Sequence, residues 1–226
     1  MVLRKWNELP SEMQIPEVKE YYDILQKRKL SLVLKRLFDI TVSFLMLLFL
    51  SPLFLAIAIA IKLDSKGPVF YRQTRVTQYG KEFKIFKFRS MVTDADKGSL
   101  LTVGGDSRIT RTGKFIRKYK LDELSQLIDV FRGTMTFVGT RPEVPKYVAK
   151  YTPEMMATLL LPAGITSEAS VYYKDENELL DAAKDVEKTY LEVVLPDKMK
   201  YNLAAIKSFS FIDDIKVMLL TVLAIF

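Results

Sequence analysis

The hydrophobic pattern changes character three times along the chain. From Ile40 to Ile61 no residue is charged, and the apolar positions occupy every side of a helix rather than one stripe. About 20 apolar residues suffice to span a bilayer, and a soluble core helix apolar all round is rare. This run is therefore expected to enter a membrane. It starts too deep in the chain, and lacks the cleavage pattern, for a signal peptide. Val69–Val76 and Phe83–Phe88 then read as two strands around the turn Gln78-Tyr79-Gly80-Lys81. Lys87 and Arg89 are expected on one face, Phe86 and Phe88 on the other. After Arg108 the spacing turns helical through Phe115, Ile116, Tyr119, Leu121, Leu124, Leu127 and Ile128. Phe131–Arg141 is short and Gly-punctuated, a strand or turn that delivers Arg141 to a pocket. Glu143–Leu161 and Asp175–Tyr190 are expected as further helices, with polar loops at Thr93–Gly105 and Pro162–Thr166. Residues 1–30 read as a charged amphipathic lead-in on the surface or the membrane. Val217–Phe226 is too short to span a bilayer and is expected in the interface.

Pro52 lies in the middle of the apolar run. It cannot donate a backbone hydrogen bond, and its ring clashes with the carbonyl near Leu48. Ser51 is placed to satisfy the freed carbonyl and favour a bend. Lys27, Arg28, Lys29, Lys35 and Arg36 precede the run, and Lys62, Lys66, Arg72 and Arg75 follow it. Basic flanks mark the cytoplasmic side, so basic flanks at both ends fit a hairpin that enters and leaves by one face. A kinked spanning helix is the rival. Asp39, at the entrance, either pairs with Lys35 or Arg36 or is an ordinary exposed residue at a helix start.

Composition narrows the chemistry. The 226 residues contain no Cys and no His, which removes thiol nucleophiles, thiolate metal sites and the commonest general base. Covalent catalysis would need a carboxylate, hydroxyl, Lys or Tyr, and any metal would be a hard ion on oxygen ligands, Mg²⁺ first. The net charge of +7 suits a phosphorylated substrate, an anionic lipid or nucleic acid. No nucleic-acid motif accompanies it, so nucleic acid is not an expected partner.

The candidate chemistry lies between Asp106 and Glu143. Asp122 and Glu123 are adjacent, among Arg108, Arg111, Lys114, Arg117, Lys118 and Lys120. Gly133 and Val138-Gly139-Thr140-Arg141-Pro142-Glu143 follow. Carboxylates inside a basic pocket suit a substrate more anionic than they are, and phosphate binds Arg and Lys through charge-assisted hydrogen bonds. Neighbouring residues cannot point the same way from a helix. One acid is expected to face the site while the other orients it or binds metal from a bend. With Mg²⁺ and Arg117 nearby, Asp122 could attack phosphorus and form an acyl phosphate. The rival reading of these residues is a surface helix with ion pairs and no catalysis.

Taken together these segments resemble the bacterial sugar transferases known as monotopic phosphoglycosyl transferases. The matching elements are the apolar run with Ser51-Pro52, Gly67–Arg75, Lys84–Met91, Arg108–Gly113, Arg117–Leu127, Gly133 and Val138–Glu143. The resemblance implies transfer of a sugar-1-phosphate from a nucleotide-diphosphate sugar, usually a UDP-sugar, to polyprenyl phosphate, with release of UMP. It implies a covalent phosphosugar on Asp122, with Glu123 as partner acid and both near Mg²⁺. Lys87, Arg89, Arg111 and Arg117 would bind phosphate, and Gly139, Arg141 and Pro142 would lie near the nucleotide. Ser51-Pro52 would form the membrane break, which decides for the hairpin. Ser125, Thr134, Thr140 and Ala163 depart from the family pattern without removing a charged group. The chain looks like a minimal catalytic form, without the long N-terminal extension of larger members.

The expected fold is α+β and helix-dominated. Residues 1–34 form the lead-in and residues 35–63 a re-entrant membrane helix-break-helix. Residues 64–226 form a small cytosolic catalytic domain with a short β-hairpin and interfacial amphipathic helices. The enzyme is expected on the cytoplasmic face of the bacterial inner membrane, with a homodimer left open. The alternative is a non-catalytic basic membrane adaptor that binds anionic lipid or a protein partner.

Overall fold

The break in the apolar run falls where Pro52 requires it. The computed structural model describes residues 3–93, 107–173, 176–183 and 185–225. Helix α1 (Pro16–Lys27) is followed by α2 (Lys29–Phe49) and α3 (Ser51–Asp64), and the last two are bent by 61° at Leu50. Pro52 has no N–H for the carbonyl of Leu48, and the Ser51 hydroxyl supplies the bond instead at 2.8 Å. No single helix among the described residues is long and apolar enough to cross a membrane, although the bent pair passes that test by length and composition. Leu37, Phe44, Leu48, Phe49, Leu55, Ile59 and Leu63 stand exposed along it.

Strands β1 (Phe70–Val76) and β2 (Glu82–Phe88) pair antiparallel from Phe70↔Phe88 to Val76↔Glu82, as the alternation predicts. Their turn holds Tyr79 at a φ of 60°, which is costly for a residue with a side chain. The cost is met from outside the hairpin: the Tyr79 hydroxyl accepts from the Arg4 N–H at 3.0 Å, and the Arg4 guanidinium lies 4.9 Å over the ring.

Helix α4 (Arg111–Lys118) starts on Thr110, whose hydroxyl accepts from the Gly113 N–H at 2.9 Å. Such a cap contributes about 1 kcal/mol. Asp64, at the end of α3, accepts from the Thr112 N–H at 2.7 Å and ties the two helices together. The helical spacing read through Ile128 is interrupted. Lys120 adopts a left-handed φ of 54°, and Leu121–Gln126 form a 3-10 turn before α5 (Leu127–Arg132).

Strand β3 (Met135–Val138) then runs parallel to β4 (Ala163–Thr166), with Met135 opposite Ala163 and Thr136 opposite Gly164. The loop expected at Pro162–Thr166 is thus a strand. A Cβ on Gly164 would stand 2.2 Å from the Gly139 nitrogen, so the two chains approach this closely only because glycine is there. The helix expected over Glu143–Leu161 reduces to α6 (Pro145–Val148) and a 3-10 turn, Glu154–Leu160. Pro153 explains the interruption, since the residue before a proline is pushed out of the helical region. Helices α7 (Glu168–Tyr172), α8 (Glu176–Asp181) and α9 (Val186–Thr189) follow. A π-turn over Tyr190–Val194 leads into α10 (Leu195–Lys207), and α11 (Phe211–Ile225) comes last. The single helix expected from Asp175 to Tyr190 is therefore broken, and most of the Thr93–Gly105 loop lies outside the described residues.

The N-terminal segment corrects one expectation outright. Instead of lying loosely on a surface, it buries Leu3, Leu9, Met13, Val18, Tyr21, Tyr22 and Leu25 against Val76, Leu159, Leu160, Leu203, Ile206 and Phe209. Complete burial of such side chains stabilises by about 1.5–3 kcal/mol each. The result is a helix-dominated molecule with two small sheets.

Candidate active site

The 3-10 turn places the adjacent acids in different surroundings. Lys87 leaves β2 and reaches Glu123 Oε1 at 3.1 Å, and Arg141, just past β3, reaches the same oxygen at 2.6 Å. A second Arg141 nitrogen lies 3.4 Å from Glu123 Oε2. Burial pushes the Glu123 carboxyl up, but the charges and hydrogen bonds of Arg141 and Lys87 outweigh it and hold it well below the ordinary range. Lys87 is itself pushed down, chiefly by burial, against the pull of Glu123.

Asp122 is treated differently. Its side chain has no ion pair within 4.0 Å among the described residues. Burial raises its carboxyl above the ordinary value, with Glu123 adding and Lys87 and Arg117 opposing. One carboxylate is pinned by cations while its neighbour is held close to them without a direct partner. That is the division expected when two acids leave a bend rather than a regular helix.

Arg141 is delivered by backbone geometry. The Gly139 N–H donates to the Thr166 carbonyl and the Gly164 N–H to the Thr140 carbonyl, both at 2.9 Å, so the ladder continues up to the residue before Arg141. Gly139 therefore serves close strand packing here, and Pro142 contributes a carbonyl. That carbonyl accepts from Arg75 at 3.0 Å. The next residue, Glu143, is buried, faces Arg75 and accepts from the Tyr190 hydroxyl. Arg75, Glu143 and Tyr190 thus clamp the Arg141 segment, a role the sequence reading missed. A weak signal was available: Gln73 and Arg75 share one face of β1, and the Gln73 amide oxygen accepts from Arg75 at 2.6 Å.

Two of the expected phosphate ligands lie elsewhere. Arg89 follows the end of β2 and is buried, and its guanidinium donates to the carbonyls of Lys66 and of Ser65, the latter at 2.7 Å. It caps the C-terminal end of α3, where unpaired carbonyls favour a cation. Gly67 makes room for it, at a φ of 128° and with a would-be Cβ only 2.0 Å from an Arg89 nitrogen. Arg111 stands exposed at the start of α4 beside Asp64. It lies six positions (117 − 111) from Arg117, about 9 Å of rise and roughly 240° around the helix. Arg117 keeps its place within electrostatic reach of Asp122.

The base of the hairpin holds a second polar set. Lys35 donates to the Val138 carbonyl at 2.7 Å and pairs with Asp214 at 2.6 Å. Asp39 takes neither course expected of it: fully buried, it accepts from the Thr136 hydroxyl at 2.7 Å and the Phe137 N–H at 3.3 Å. Arg36 donates to the Val130 and Phe131 carbonyls at the end of α5. The apolar pair is thereby fixed to β3, the strand that carries Arg141.

No group of three or more Asp or Glu side chains suited to a metal occurs among the described residues. A Mg²⁺ keeping its waters needs only one or two carboxylates and substrate phosphate oxygens. Asp122 fits that requirement, whereas Glu123, taken by two cations, fits it poorly.

Adjacent carboxylates among Lys87, Arg117 and Arg141 form an arrangement whose cations offer the charge-assisted hydrogen bonds that phosphate oxygens accept. The bacterial sugar transferase family matches residues 30–226, and the chain belongs to that family. A UDP-glucose:undecaprenyl-phosphate glucose-1-phosphate transferase of Klebsiella pneumoniae is 37% identical over 85% of this chain and 40% of the relative. A UDP-N-acetylgalactosamine-undecaprenyl-phosphate N-acetylgalactosaminephosphotransferase of Aeromonas hydrophila is 34% identical over 84% of this chain and 43% of the relative. An uncharacterized sugar transferase of Bacillus subtilis, EpsL, is 33% identical over 84% of this chain and 86% of the relative. The chain therefore spans less than half the length of the first two.

Proposed function

We propose that the protein transfers a sugar-1-phosphate from a UDP-sugar to polyprenyl phosphate on the cytoplasmic side of a bacterial membrane, an early step of glycan assembly. The observation that carries this reading is the unequal treatment of the two acids: Glu123 is pinned by Lys87 and Arg141 while Asp122 has no ion pair among the described residues. An Asp122 oxygen attacks the β-phosphorus of the donor. The bond from that phosphorus to the bridging oxygen breaks, and UMP leaves with the electron pair. A phosphate oxygen of the polyprenyl acceptor then attacks the phosphosugar, and the Asp122 carboxylate is released. Lys87, Arg117 and Arg141 hold the phosphate oxygens in line, and such fixed charges are worth most in a partly dry site. Glu123 keeps Lys87 and Arg141 oriented until phosphate oxygens share them. Mg²⁺, when bound at Asp122, would neutralise diphosphate charge.

The bent pair α2–α3 is read as re-entering the membrane from one face. Its support is the exposed apolar surface on both arms, the 61° bend and the basic residues at each end. Relatives of nearly equal identity carry the names of glucose and N-acetylgalactosamine transferases, so identity alone does not choose the sugar.

The test is UMP release from a panel of UDP-sugars by detergent-solubilised protein with Mg²⁺ and undecaprenyl phosphate. Release with at least one donor, abolished by Asp122→Asn, is expected. Silence across the panel from folded protein would overturn the reading.

A further inference from the structure

A cavity opens among the residues just before Arg141 and helices α10 and α11. Gly139 and Thr140 line it and are the two residues immediately before Arg141, so its wall is continuous with the arm that carries the cation. Asn202 of α10 lines it from the other side and is only 7% exposed. The Asn202 amide nitrogen meets only the Met199 sulfur, at 3.8 Å, and the amide oxygen accepts nothing among the described residues. The amide oxygen is therefore left able to accept from a ligand or water. Glu168, at the same cavity, carries no ion pair among the described residues, and Asp213 and Asp214 are already paired with Lys216 and Lys35. No Lys or Arg lines the cavity, which sets it apart from the cationic cage at Glu123.

We propose that this cavity is the sugar subsite. It takes the uncharged, hydroxyl-bearing ring of the donor, while Lys87, Arg117 and Arg141 take the phosphates. The inference rests on the transferase reading above. Carboxylates accept hydrogen bonds from sugar hydroxyls, and an amide both accepts and donates, so Asn202 and Glu168 distinguish ring substituents and epimers. A phosphate in the same place would face Glu168 with no Lys or Arg lining the cavity to hold it. The apolar walls at Ile206 and Phe209 suit the C–H face of a ring.

The experiment compares kcat/KM for UDP-glucose, UDP-galactose, UDP-N-acetylglucosamine and UDP-N-acetylgalactosamine between the wild type, Asn202→Ala and Glu168→Gln. Inhibition by UMP is measured in parallel. At least one donor ratio is expected to change by about tenfold or more, because a site that hydrogen-bonds a hydroxyl discriminates strongly through it, while UMP inhibition stays the same. Parallel losses for every donor, or unchanged ratios in an active enzyme, would overturn the subsite alone. A wild type silent toward every donor would overturn the transferase reading, and the subsite with it. Should Asn202→Ala not fold, Glu168→Gln, at a less buried position, decides the outcome in the same way.

Discussion

Lys87 and Arg89 stand two residues apart at the end of one strand, yet their charges go to different kinds of partner. Arg89 donates to the carbonyls of Ser65 and Lys66, as Arg36 does to those of Val130 and Phe131. Lys87 and Arg141 meet a carboxylate, Glu123. Carbonyls at the end of a helix cannot leave, so a cation on them holds the fold together. A carboxylate beside an open site can share its cations with an incoming phosphate, because phosphate oxygens offer the same charge-assisted bonds. Under the proposed function, basic residues close in sequence divide into fastening cations and working cations, and the partner atom tells them apart.

The sharpest test is the acid beside the working set. Asp122→Asn is expected to lower UMP release by about 10³-fold or more, since no acyl phosphate can form, while Tm stays put. Turnover near the wild-type level would end the covalent scheme. Next in size, Lys87→Met is expected to cost about 10²-fold in kcat/KM. It also carries a pH signature. Burial raises the Asp122 carboxyl and Lys87 opposes the rise, so the acid limb of the rate profile should start above the ordinary Asp value and move higher still in the variant. A limb that stays fixed would remove Lys87 from the site.

Arg89→Met probes the fastening set. Charged donors on buried carbonyls contribute about 1.5–3 kcal/mol, so Tm should drop by roughly 5–10 °C while kcat/KM of the folded enzyme remains within about twofold. Lost activity with an unchanged Tm would break the division. The smallest effect is expected from the pH dependence of stability. Glu123 has its carboxyl held well below the ordinary range, so its contribution is present above the ordinary Glu value and disappears as pH falls through the folded one. The Tm gap between the wild type and Glu123→Gln should therefore close on acidification, and a gap that widens would contradict the ion pairs.

Local signals carried much of the fold. Pro52 announced the bend, alternation announced the hairpin, and the Asp122-Glu123 pair announced a departure from regular helix. Some failures come from partners distant in sequence and others from short elements and prolines. Asp39 finds Thr136 97 positions away, and no local pattern reports such a bond. Arg89 looked like Lys87's companion because strand alternation puts them on one face, but β2 ends at Phe88 and the rule ends with it. Strand β4 was hidden because four residues beside Pro162 carry turn signals and no room for a period. Helical spacing over Glu143–Leu161 was real, and Pro153 overrode it.

The N-terminal segment shows that homology and packing cut this molecule in different places. The family match begins at residue 30, yet the largest cluster of buried side chains draws Leu3, Leu9, Met13, Val18, Tyr21, Tyr22 and Leu25 from before that point. A protein trimmed to the family boundary would turn Leu159, Leu203, Ile206 and Phe209 out to water and release the Arg4 contact that steadies Tyr79. Its solubility would suffer although every residue of the proposed chemistry were still present. In this chain the packed core reaches beyond the stretch that the family match covers.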